Sequence, residues 1–183
     1  MIFQFHTVIH SKLSQLNLNA LWMLVFLSTA VLPVVSGMLI SGIRDIRDLP
    51  SLNDQGRRIF MMATGVYQLL LLYMFVRAGM HYFVLPFFVG GAVSLFVCTL
   101  VSFKMRMSLH ALGWGGLLSM LIFLMPHASS DFFFVILAVL IISGVVMSAR
   151  LILQAHSRRE VYAGFLTSLS LMSIIFFIYG YRI

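Results

Sequence analysis

A chain of 183 residues that is 61% hydrophobic and only 9% charged has too little polar surface to cover its apolar side chains in water, and its mean hydropathy of +1.04 agrees. A soluble globular protein is thereby excluded and an integral membrane protein indicated. The net charge of +7 comes from twelve Lys and Arg against five Asp and Glu, so where the cations fall along the chain carries information.

Residues 1–19 mix Phe3, Phe5, Ile9 and Leu13 with His6, His10 and Lys12, a pattern that suits an interfacial amphipathic lead-in better than a cleaved signal. Apolar runs follow at 13–43, 59–76, 82–103, 107–130, 132–149 and 161–181. A bilayer core takes roughly 20 apolar residues per helix, so each run is expected to cross once. Continuous rather than alternating hydrophobicity favours helices over barrel strands. The expected fold is all-α, a single polytopic six-helix transmembrane domain over 1–183. The longest polar connection runs only from Arg44 to Arg58, and within it Asp45, Arg47 and Asp48 read as a solvated, mutually neutralising loop. Cys98 is the single cysteine and lies inside the third run, which rules out an intrachain disulfide and a cysteine-based metal cluster. Gly113, Gly115 and Gly116 fall within an apolar run and are read as helix-packing positions rather than a phosphate loop. The run Phe132–Phe134 is read as lipid-facing or packing surface.

Six alternating spans place residues 41–58, 104–110 and 150–160 on one side. Nine of the twelve cations fall there: Arg44, Arg47, Arg57, Arg58, Lys104, Arg106, Arg150, Arg158 and Arg159. Two readings stand together. Short cytoplasmic loops carry excess Lys and Arg for topological reasons, and guanidinium forks also converge on phosphate. Of six histidines only His110 and His156 share that side. Two imidazoles among arginines fit phosphoester cleavage without a metal, one attacking phosphorus and the other protonating the leaving oxygen. No cofactor and no metal is implied. A haem held axially by the two histidines is disfavoured by the arginines crowding the same face.

Arg150, five residues, His156, three residues, Glu160 and then Val161-Tyr-Ala-Gly164 resembles the third signature of the type 2 phosphatidic acid phosphatase superfamily, which reads Ser-Arg, five residues, His, three residues, Asp. Ser108-Leu109-His110 is similar to the second signature, Pro-Ser-Gly-His. The resemblance implies a six-helix core of the phosphatidic acid phosphatase and haloperoxidase type, and a lipid phosphate or diphosphate phosphatase. It implies His156 as nucleophile, His110 as general acid, Glu160 as the group that orients His156, and Arg150 and Ser108 as holders of phosphate oxygens. Met107 and Leu109 stand where the family has Pro and Gly, and Ala149 where it has Ser. The first signature, Lys, six residues, Arg-Pro, is not intact, because Ser51 lies seven residues before Arg58 and Ile59 follows it. Arg58 is the expected replacement cation, with Lys104 second.

Ser157-Arg158-Arg159-Glu160 also has the form of a capping box, so Glu160 has a structural role open to it beside the chemical one. The expected partners are the bilayer and a membrane lipid phosphate, with no nucleic acid. The other function class is a catalytically impaired homologue that binds anionic lipid headgroups or a partner membrane protein through the same cationic face. The cation count points that face to the cytoplasm, whereas the resemblance implies an inner-membrane protein with an extracytoplasmic site. The latter is taken, since cations retained for chemistry distort the count.

Overall fold

The computed structural model describes residues 23–42, 53–77, 85–127 and 131–180. The amphipathic lead-in over 1–19 and the loop of Asp45, Arg47 and Asp48 lie outside the described residues. Six α-helices are described: α1 (Leu32–Ser41), α2 (Asp54–Arg77), α3 (Leu85–Val101), α4 (Leu109–Leu124), α5 (Phe132–Ile152) and α6 (Arg158–Gly180). Four helical stretches are long and apolar enough to cross a bilayer: Met23–Ile40, Asp54–Arg77, Phe132–Ile152 and Arg158–Tyr179. The chain is an all-α integral membrane protein. The expectation of six full-length spans is met in part, because α3 and α4 are apolar but only 17 and 16 residues long.

The chain divides into two compact units, Met1–Phe88 and Val89–Ile183. In the first, α1 continues from a π-helical stretch, Leu27–Val31. Pro33 explains that stretch, since its ring clashes with the carbonyl four residues back and removes a donor, and a wider turn absorbs both defects. Gly42, at φ 67°, closes α1 with its N–H on the Met38 carbonyl, a left-handed cap that glycine adopts without steric cost. Asn53 caps α2 through its Oδ1, which accepts from the Gly56 N–H at 2.7 Å. Asp54 in the first turn and Arg77 in the last complement the helix dipole. A Ser36–Tyr67 hydroxyl pair at 2.6 Å links α1 to α2, and Leu71, Phe75 and Phe88 form a core with the last two rings edge to face at 5.2 Å.

In the second unit α4 and α6 pack together over much of their length. Small residues make this possible. A Cβ on Gly115 would run into the Phe165 carbonyl, and one on Gly116 would meet Ser168 Oγ at 2.8 Å, so the expected packing role of those two glycines is what the geometry shows. Gly113 instead faces open space. Stacked Phe123 and Phe176 rings at 4.7 Å and a Ser119–Ser173 hydroxyl pair at 2.9 Å continue the seam. Cys98 is buried. In helix α5 only Ser143 is buried, and Phe133, Phe134, Ile141 and Val145 are among the exposed residues. Such a surface needs lipid, as in water it would be a large apolar patch.

Candidate functional site

The α4–α6 seam ends at a clamp. Ser108 is fully buried, its N–H donates to the Glu160 carbonyl at 3.0 Å, and its hydroxyl caps α4 by accepting from the Ala111 N–H at 3.4 Å. Gly164, in the second turn of α6, presses on the same residue: a Cβ there would lie 2.6 Å from the Ser108 carbonyl oxygen. The first turns of α4 and α6 are thus held side by side. The backbone N–H of Ser108, expected to hold phosphate through its backbone or hydroxyl, is directed at the Glu160 carbonyl.

Arg150 arrives from the other direction, in the last turn of α5, where a cation complements the helix dipole. Beyond it the chain reverses through a Schellman motif: Ala155 N–H donates to the Arg150 carbonyl at 3.2 Å and Gln154 N–H to the Leu151 carbonyl at 3.1 Å. Gln154 occupies the left-handed position at φ 51°. Sequence reasoning missed this turn because its usual marker, a glycine at that position, is absent. The reversal delivers His156 and Ser157 to the start of α6.

The capping box forms in both directions. Ser157 N–H donates to Glu160 Oε2 at 2.8 Å, and Glu160 N–H donates to Ser157 Oγ at 3.4 Å. The same Oε2 lies 3.3 Å from His156 Nδ1. A carboxylate only accepts, so Nδ1 carries the proton and the lone pair of that tautomer sits on Nε2. One carboxylate therefore caps α6 and faces the His156 ring at once. His156 and Glu160 are mostly shielded, their side chains 17% and 22% exposed.

His110, on the second residue of α4 and outside the four long spans, is solvent-exposed at its edge. Its Nε2 is 2.7 Å from Arg150 Nη2. Desolvation, then the Arg150 charge, then His156 hold its pKa below the ordinary imidazole value. His110, Arg150, His156 and Glu160 thus come together at one end of the second unit. Beside them an open groove of about 570 Å³ is lined by Leu151, Ile152, Gln154, His156, Ser157 and Arg158. Lys104 is exposed in the turn that follows α3, its N–H on the Val101 carbonyl at 2.9 Å. Arg58 lies in the first turns of α2, in the first unit. Among the described residues no group of three or more His, Cys, Asp or Glu is placed to hold a metal.

No family model, curated protein or solved structure matches this chain.

Proposed function

We propose that the protein is a metal-independent membrane phosphatase of the type 2 phosphatidic acid phosphatase kind, hydrolysing a lipid phosphate or diphosphate on the extracytoplasmic face with a histidine nucleophile. The observation that carries this reading is the pairing of two histidines with opposite partners, His156 against a carboxylate and His110 against a guanidinium. Glu160 orients His156 so that Nε2 attacks phosphorus. The phosphorus–oxygen bond to the lipid breaks as Nε2–P forms, and the leaving alkoxide takes a proton from His110. Arg150 neutralises the equatorial oxygens. Water, deprotonated by His110, then cleaves the phosphohistidine and releases inorganic phosphate. The neighbouring groove suits an amphipathic substrate, because its lining combines the apolar Leu151 and Ile152 with the polar Gln154, Ser157 and Arg158. A site there handles a headgroup without drawing the tail into water, which costs roughly 0.8 kcal/mol per CH₂.

A second reading, an impaired homologue that binds anionic lipid, is favoured by one feature. Ser108 is buried and occupied between Met107 and Leu109, so a family position for phosphate contact is spent on the clamp. Phosphate release from a panel of lipid mono- and diphosphates by the purified protein in detergent, with and without chelator, separates the two. Release that persists in chelator is expected. A protein that binds anionic vesicles but releases nothing from any substrate supports the second reading.

A further inference from the structure

The Arg150–His110 contact has a direct chemical consequence. A guanidinium possesses donors only, so at 2.7 Å the His110 Nε2 must accept, and the ring is neutral with its proton on Nδ1. The general acid of the phosphatase reading is therefore uncharged at rest, with its outward nitrogen occupied by the residue assigned to phosphate. The charged groups facing His110 are Arg150 of α5 and His156 of the α5–α6 connection. At the start of α6, Glu160 is engaged by His156 and the Ser157 N–H. On the α3–α4 connection Lys104 and Arg106 are solvent-exposed. Both neighbours of the ring that are or become cationic oppose a further positive charge.

Resting on the reading of this cluster as a phosphate site, we infer that Arg150 is a proton gate: an arriving phosphate dianion draws the guanidinium off His110, whose Nε2 then takes up a proton from solvent. The balance is simple. One N–H···N bond is lost, guanidinium N–H···O bonds to phosphate replace it, and a solvent proton converts imidazole to imidazolium, which donates to a phosphate oxygen. Two electrostatic changes drive the step, removal of a cation from the ring nitrogen and arrival of a dianion beside it. The acid is loaded only when substrate is present, so the phosphate-free site stays neutral at His110.

The test uses the full-length protein in detergent and inorganic phosphate as probe. Calorimetric titration at about pH 8, where phosphate is a dianion, in buffers of different ionisation enthalpy reads the protons taken up. Uptake approaching one proton per phosphate is expected, with apparent affinity strengthening toward about tenfold per pH unit lowered. In ¹⁵N-histidine-labelled protein the His110 Nε2 signal is expected to pass from unprotonated to protonated at saturation. His110→Gln should still bind phosphate but without proton uptake. Binding with no uptake and an unchanged His110 signal overturns the gate while leaving the phosphatase reading standing. Uptake that persists in His110→Gln also overturns it, since the proton then goes elsewhere. Absence of phosphate binding, together with absence of lipid phosphate hydrolysis, removes the gate and the phosphatase reading alike.

Discussion

Two histidines of one chain acquire different chemistry from what each ring nitrogen faces. His156 donates from Nδ1 to Glu160, whereas His110 accepts at Nε2 from Arg150; in the proposed reading the Nε2 of His156 is the attacking atom. His156→Ala is therefore expected to abolish both the phosphoenzyme and turnover, while His110→Ala slows alkyl phosphates severely and spares substrates with acidic leaving groups. Equal losses on both substrate types in His110→Ala would argue against its role as acid. A transferred phosphoryl group normally requires more positive charge than one arginine supplies. Arg58 is the expected source, so Arg58→Ala should lower turnover far more than Arg44→Ala. Wild-type rates in Arg58→Ala would transfer that role to Lys104.

At the level of elements, two turns hold the cluster, and each depends on a residue whose effect can be weighed. Gly164→Ala would ordinarily gain about 1 kcal/mol from helix propensity. Here the new methyl meets Ser108 backbone atoms at 2.6 and 3.3 Å, and backbone in a first helical turn yields little. Overpacking of this kind costs about 1–3 kcal/mol, so a lower unfolding temperature in detergent and reduced turnover are expected. An unchanged midpoint would mean that the clamp is loose. Gln154 presents the opposite case. A side-chain-bearing residue in the left-handed region costs about 1–2 kcal/mol, and glycine gives back part of that relief as chain entropy. Gln154→Gly should raise stability by about 0.5–1 kcal/mol, read as a higher thermal midpoint, and a fall would show that the turn does not persist in solution.

For the molecule as a whole, lipid is the solvent that makes these helices workable. Few residues of the four long helical stretches are buried by protein and many of their large apolar side chains are exposed, so the protein should stay in the membrane pellet through alkaline carbonate and leave it only with detergent. Release by carbonate would exclude the integral assignment. The shorter α3 and α4, at 1.5 Å per residue, reach only about 24–26 Å against a hydrocarbon core of roughly 30 Å. Between them, Met107 and Ser108 are non-helical yet buried, and the Ser108 N–H is satisfied by Glu160. Irregular backbone is tolerated near a membrane under just that condition, burial against protein with its polar groups paired.

Composition and continuous hydrophobicity alone determined the membrane class, the approximate places of the six described helices, and the residues worth watching at their ends, because partition into lipid depends on summed hydrophobicity and each helix satisfies its own backbone. The capping box over Ser157–Glu160 was legible for the same reason, being a local pattern completed within four residues. Only tertiary structure decided that His110 meets Arg150 across forty residues of chain, that Ser108 is spent on the α4–α6 clamp, and that two of six apolar runs yield short helices. Those outcomes depend on helix packing and on a left-handed turn at Gln154 that carries no glycine to announce it. Which nitrogen of a histidine holds the proton is set by the partner that packing places beside it, and that partner is not written next to it in the chain.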